Sequence, residues 1–377
     1  MCIRDRYITK GGITIMKRLG ISIYPEHSTK EKDIEYIHLA GKYGFKRVFT
    51  CLLSVGKKTK KELLEEFKQL IDTAHEEGME IIFDVNPKVF DIFNVSYDNL
   101  SLFQEINADG IRLDEGFDGI KESLMTYNEN NIKIELNASS GNGYIENIMS
   151  NFPNRNQLIT CHNFYPQKYT GLSLNHFNNC NKLMKSYNLH TAAFVSSNNE
   201  NTFGPWPVNE GLCTLEMHRG LPIDLQVRHL FATEMIDDVI IANAYASEEE
   251  LKSCSEINSG ILTFGIEFEK QLTNIERNIL YYEKNHADRG DVSEYMIRSS
   301  EPRAMFSEAS IPAENTRDLK RGDVVILNDN YSRYKGELQI ALKDMPNDNR
   351  KNVIGHIPEN ELFLLDYMEP RKRFKFK

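Results

Sequence analysis

The sequence predicts an α/β protein, a TIM-type (β/α)8 barrel followed by a small β-rich domain. Three observations predict it. Eight short β-branched or aromatic runs alternate with amphipathic helical stretches between residues 19 and 242, which is the pattern of βαβ units and a parallel sheet. No G-x-G-x-x-G follows any of these runs, so an open dinucleotide-binding sheet lacks its signature. After about residue 260 the helical periodicity gives way to short apolar runs separated by turn formers. The length of 377 residues suits a barrel of about 250 residues and a module of about 100.

Residues 1–15, MCIRDRYITKGGITI, read as a spurious leader that resembles translated sequencing-adapter bases, with the protein starting at Met16. The barrel domain is then expected over 16–258 and the β domain over 259–377. The expected strands are Leu19–Tyr24, Arg47–Leu53, Glu80–Val85, Gly110–Asp114, Lys133–Asn137, Leu158–Asn163, Thr191–Ser196 and Asp238–Ala242. Between them, Lys30–Tyr43 and Lys60–Glu77 have helical spacing, the second with Leu63, Leu64, Phe67, Leu70, Ile71 and Ala74 on one stripe. Ser28 and Thr29 sit where an N-cap belongs, and Gly44 and Gly78 where a C-cap belongs. In the second domain Leu262–Phe268, Val324–Leu327, Glu337–Leu342 and Asn352–Ile357 read as strands, and 370–377 (PRKRFKFK) as a basic, solvated tail.

A net charge of −10 argues against a nucleic-acid partner. The start lacks the apolar core of a signal peptide, and no run of about 18 apolar residues spans a membrane. Six scattered cysteines, without a C-x-x-C pair, read as reduced thiols of a cytoplasmic protein.

In a barrel the reacting groups stand at the C-terminal strand ends. Here those ends carry Tyr24, Glu26 and His27 (IYPEHS), Asp84 and Asn86 (FDVNP), and Arg112, Asp114 and Glu115 (RLDEG). Glu135 and Asn137 (IELNAS) follow, then His162, Asn163 and Tyr165 (CHNFYP). Residues two apart on a strand share a face. Paired carboxylates with amides and few histidines fit glycoside hydrolysis, with the acid and base drawn from Asp84, Asp114 and Glu115. Arg112 beside Asp114 would keep a carboxylate ionised, or form a plain barrel-mouth salt bridge. His162 with a carboxylate has metal-ligand chemistry, but no H-x-H follows the first strand and no second histidine ends a neighbouring one. No metal and no cofactor are therefore expected. The loop from Ser196 to Pro222 carries the chain's only tryptophan, Trp206, and then Glu210, Glu216, His218 and Arg219. Loops after the seventh and eighth strands often hold phosphate, which His218 and Arg219 would suit; a helix-capping surface loop is the plainer reading.

Together these segments resemble the 6-phospho-N-acetylmuramidase family. LGISIYPEHS, FDVNP, GIRLDEGF, IELNAS, CHNFYP, GP-x-x-x-x-EGL-x-TLE-x-HR and RGD…Y-x-GELQI…N-x-x-G-x-I occur in the family's order. Cys213 stands where that family usually has proline. The resemblance implies a TIM-like barrel with a cyclophilin-like C-terminal domain. It implies cytoplasmic cleavage of 6-phospho-N-acetylmuramyl-N-acetylglucosamine in peptidoglycan recycling. Asp84, Asn86, Arg112, Asp114, Glu115, Glu135, Asn137, His162, Asn163 and Tyr165 would line the sugar site; Tyr24 and Glu210 are further candidates, and His218 and Arg219 fall in the family's loop. In the second domain Arg298, Arg303 and Arg333 are spare cations for the phosphate or lactyl carboxylate, or ordinary surface arginines. Two rival readings are a metal-dependent phosphosugar isomerase, epimerase or aldolase on the same barrel, and a non-catalytic binder of phosphorylated glycans.

Overall fold

A computed structural model of the chain describes residues 6–9, 12–15, 17–52, 59–86, 89–91 and 95–377. The expected start at Met16, Cys2, the Leu53 end of the second strand, the Leu63 side chain and Pro87 of FDVNP lie outside the described residues. The chain divides into two compact units, Met1–Glu256 and Ile257–Lys377. Arg6–Thr9 pairs antiparallel with Gly12–Ile15.

Eight parallel strands close a barrel in the first unit: β1 Arg18–Ile23, β2 Arg47–Cys51, β3 Glu80–Val85, β4 Gly110–Leu113, β5 Lys133–Asn137, β6 Leu158–Cys161, β7 His190–Val195 and β8 Asp238–Ile241. Closure is through β8, which pairs with both β7 and β1. Each strand is buried on both faces, one against the barrel interior and one against helices, so near-continuous apolar runs such as EIIFDV suffice.

Helices α1 (Lys30–Lys42) and α2 (Lys60–Glu76) follow β1 and β2. Thr29 caps α1 by accepting from Lys32 N–H, and Thr59 forms a reciprocal capping box with Glu62 on α2. Gly44 and Gly78 take φ of 77° and 69° just past the two helices, a left-handed turn that costs a glycine nothing. Gly110 meets a different demand: a Cβ there would lie 2.7 Å from Ile82 Cδ1 and 2.9 Å from the Lys133 carbonyl oxygen.

The lower barrel interior is charged. Arg47 on β2 is fully buried and donates through Nη2 to both Glu135 oxygens (2.5 and 2.6 Å) and through Nη1 to Asp238 (3.1 Å). These residues sit on strands that are not neighbours, so the bonds cross the lumen. Arg18 bridges Asp238 and Glu80, and Lys133 closes on Glu80. Burial pushes the Glu80 carboxyl up, but Arg18 and Lys133 outweigh it and hold the group at about 2.

The second unit holds β9 Leu262–Phe264, β10 Glu267–Phe268, β11 His286–Ala287, β12 Met296–Ser299, β13 Asp323–Leu327, β14 Leu338–Ala341, β15 Lys351–His356 and β16 Arg373–Phe376. They form a five-stranded sheet in the order β10-β15-β13-β14-β12 and a three-stranded sheet in the order β9-β16-β11. The basic tail expected over 370–377 is corrected here. Residues 373–376 are the central strand of the smaller sheet, with Phe374 and Phe376 buried. Arginine and lysine alternate with phenylalanine in RFKF, so one face is apolar and the charges take the other.

Candidate active site

The C-terminal mouth of the barrel has two halves. Tyr24, Phe49, Cys161, Phe194, Leu212, Ile240 and Ala242 make one of them apolar, with Phe164, Phe203 and Tyr245 packed against it. The ends of β3 to β6 make the other polar.

Asp84 on β3 lies in register beside Arg112 on β4. Arg112 Nη1 donates to Asp84 Oδ1 at 2.6 Å and stands 3.5 Å from Asp114 Oδ1, while Nη2 donates to Asn163 Oδ1. One guanidinium thus gathers two carboxylates and an amide from three strand ends. The Asp84 side chain is 5% exposed and that of Asp114 40%. Burial pushes the Asp84 carboxyl up to about 6; Arg112 pulls it down, and the nearby Asp114 charge pushes it up again. A carboxyl that holds its proton near pH 6, beside a solvent-facing carboxylate, can protonate a leaving oxygen while its neighbour steadies positive charge.

Other expected residues flank this centre. Asn86 and Asn137 are half-buried, their Oδ1 atoms accepting from Val89 N–H and Ser139 N–H. Glu115 is exposed and Tyr165 half-buried. His162 is fully buried between Ser139 Oγ and Asn181 Oδ1, both at 3.2 Å. Burial lowers its pKa to about 4, so it is a neutral strut beneath the site.

Five expected residues are placed elsewhere. Tyr24 is buried in the apolar half and donates to the Ala242 carbonyl at 2.5 Å. Glu135 lies one layer below the mouth, where both its oxygens are taken by Arg47. His218 is fully buried with Nε2 2.6 Å from His229 Nδ1, and burial holds it far below the usual histidine range, so it faces no anion. Arg219 forks onto Glu216 and also donates to the carbonyls of Tyr165, Glu210 and Gly211, which leaves its guanidinium committed to the loop. Glu210 is exposed, and its Oε2 accepts from Lys168 N–H.

Glu210 and Arg219 instead wall a cavity of about 660 Å³ at the loops after β6, β7 and β8, together with Lys168, Tyr169, Asn198, Asn199 and Asn209. Sequence reasoning passed over these last five; the only signal was the amide-rich run SSNNENT that opens the long loop. In the second unit Arg298 pairs with Asp291 and Arg303 with Glu337, whereas Arg333 is exposed. Among the described residues, no group of three or more His, Cys, Asp or Glu is placed to hold a metal ion. The described cysteines, Cys51, Cys161, Cys180, Cys213 and Cys254, are free and buried, and no helix among the described residues is long and apolar enough to cross a membrane.

Fold and site together define a barrel enzyme with a carboxylate–guanidinium centre at its mouth. The chain belongs to the 6-phospho-N-acetylmuramidase family, whose N-terminal model matches residues 19–256 and whose C-terminal model matches 262–377. It is a glycosidase. The chain is similar to a solved structure of an uncharacterized B. cereus protein, at 49% identity and a TM-score of 0.89, covering 96% of this chain and 99% of that one. It is also similar to a conserved protein of unknown function from Enterococcus faecalis, at 26% identity and a TM-score of 0.71, covering 96% of each chain. No curated protein matches the chain.

Proposed function

We propose that this glycosidase cleaves 6-phospho-N-acetylmuramyl-N-acetylglucosamine to N-acetylmuramate 6-phosphate and N-acetylglucosamine, in the cytoplasm, as a step of peptidoglycan recycling. The C-terminal unit, on the same reading, is a cyclophilin-like domain beginning near residue 259. One observation carries the chemistry: Asp84 and Asp114 share the Arg112 guanidinium, one carboxyl buried with its pKa near 6 and the other open to solvent. Asp84 gives its proton to the glycosidic oxygen as the bond to the anomeric carbon breaks. Asp114 faces the positive charge that develops there, and Asn86, Asn137, Asn163 and Tyr165 orient the sugar.

The two acidic oxygens lie 2.6 and 3.5 Å from the same nitrogen, and so within about 6 Å of each other. That spacing supports a retaining course, through an enzyme-bound intermediate or through the substrate's acetamido group, because an inverting pair needs about 6.5–9.5 Å to seat a water. The test is to incubate the enzyme with the disaccharide in phosphorylated and unphosphorylated forms and follow released N-acetylglucosamine. Cleavage of the phosphorylated form alone is expected, and Asp114→Asn should abolish it in a folded protein. Equal cleavage of both forms would remove the phosphate from the substrate assignment.

A further inference from the structure

The cavity at the loops after β6, β7 and β8 has a braced, polar wall. Glu216 presents both carboxylate oxygens as a fork. Arg219 Nε and Nη2 donate to it at 2.7 Å each from one side, and the N–H groups of Tyr169 and Gly171 donate at 2.8 Å each from the other. A Cβ on Gly171 would come within 2.7 Å of Glu216 Oε2, so only glycine allows this approach. The turn after β6 is thereby fixed from outside. It holds Tyr169 at a φ of 67°, while most described residues at positive φ are asparagine or glycine. A bulky side chain rarely occupies that region without compensation. Here the ring gains no cover in return: Tyr169 is 90% exposed at the cavity rim.

The remaining walls have a consistent polarity. Asn198 Nδ2 donates to the Leu221 carbonyl, Asn199 Nδ2 to the Tyr245 carbonyl and Asn209 Nδ2 to the Thr202 carbonyl. Carbonyls only accept, which fixes the orientation of each amide, and among the described residues the three Oδ1 atoms accept no hydrogen bond from the protein. Charge balances, since Lys168 and Arg219 offset Glu210 and Glu216 along the wall. An acceptor-lined, electrically balanced cavity with an aromatic face at its rim suits a ring that donates through several hydroxyls and stacks through its C–H face.

We propose that this cavity is the subsite for an uncharged amino-hexose unit, with Tyr169 as its stacking platform and Asn198, Asn199 and Asn209 as acceptors for its hydroxyls. The phosphate is then bound elsewhere. The assignment rests on the disaccharide reading above, in which the uncharged half is N-acetylglucosamine. The segment Asn163–Tyr165 joins the two places: Asn163 accepts from Arg112, and the Tyr165 carbonyl accepts from Arg219.

The test uses the full-length protein with N-acetylglucosamine and N-acetylglucosamine 6-phosphate as probes in calorimetric titrations. Wild type should bind the uncharged sugar saturably and no more weakly than its phosphate. Tyr169→Gly is the informative variant, because glycine relieves the backbone strain while removing the ring. A purely structural tyrosine predicts a protein at least as stable with unchanged binding. A platform predicts binding weakened by about tenfold, the size of one ring–ring contact, with recovery in Tyr169→Phe. In turnover of the phosphorylated disaccharide, the same loss should fall mainly in KM. Unchanged binding in Tyr169→Gly, no saturable binding to wild type, or tighter binding of the phosphorylated probe would each overturn the subsite. Absent turnover with ring-dependent binding would instead sink the disaccharide reading and leave the subsite standing.

Discussion

Asp84→Asn isolates the proposed acid because the structure gives that group a titration within ordinary buffers. Burial and the Asp114 charge carry its carboxyl from 3.8 to about 6 despite Arg112, a shift worth about 3 kcal/mol against ionisation. If the protonated form is the active one, about half the enzyme is competent at pH 6, about nine tenths at pH 5 and about a tenth at pH 7. Wild-type kcat/KM on the phosphorylated disaccharide should then fall about fivefold from pH 6 to 7 and about tenfold from pH 7 to 8, read as released N-acetylglucosamine. Asparagine keeps an oxygen for Arg112 but has no proton to give, so kcat should drop by about a thousandfold and the residual rate should lose the descending limb. Stability supplies a second readout. The folded pKa is raised, so this group's contribution is complete below the unfolded value near 4 and is lost as pH rises through about 6. In urea melts, wild type should lose up to about 3 kcal/mol relative to Asp84→Asn across that window. A rate that is flat from pH 5 to 8, or near-normal turnover in Asp84→Asn, would refute the acid assignment.

Two further outcomes test the fold beneath the site. Arg47→Leu leaves Glu135 and Asp238 buried without their shared cation; the loss should be about 3–5 kcal/mol in urea unfolding, and a midpoint within error of wild type would deny the cluster its role. Phe374→Ala removes a fully buried ring from the central strand of the smaller sheet and should cost about 3–5 kcal/mol. A solvated tail would lose nothing measurable in the same urea unfolding.

The barrel was legible because its signal is repeated. Eight apolar runs between amphipathic helices define the parallel strands with or without a family name, and glycines such as Gly44 and Gly78 mark the returns. The polar mouth was legible in part, since a two-residue spacing puts Asp84 with Asn86 and Arg112 with Asp114 on the inward face. That spacing says which face a residue takes but not which layer of the lumen. Glu135 shares a face with Asn137, yet it sits one step deeper and meets Arg47 rather than the mouth. Arg47 drew no notice in the sequence because it opens a strand, where a cation reads as a solvated end. The surroundings of His218 and Arg219 were hidden for another reason: a polar loop segment gives no hint of whether its groups are spent on the loop itself. Arg219 is spent on Glu216 and three carbonyls. The tail misled because PRKRFKFK was read by charge, when the alternation in RFKF carries the structural information.

The two layers of the lumen also give a physical reason for the place of the proposed acid. In the lower layer Arg18, Arg47 and Lys133 match Glu80, Glu135 and Asp238, and every one of these charges has a partner of opposite sign. Nothing is left over to help the layer above. At the mouth, among the described residues, Arg112 is the cation that meets both Asp84 and Asp114. The deeper carboxylate also bears the larger desolvation cost, so a proton settles on Asp84 most readily. Asp114, nearer water, is the proposed partner of that acid. Removing Arg112 would leave Asp84 neutral but unplaced, since the same guanidinium ties it to Asn163. On the proposed reading, depth beneath one shared guanidinium is therefore what separates the two aspartates, the buried Asp84 as acid and the solvent-facing Asp114 as its partner.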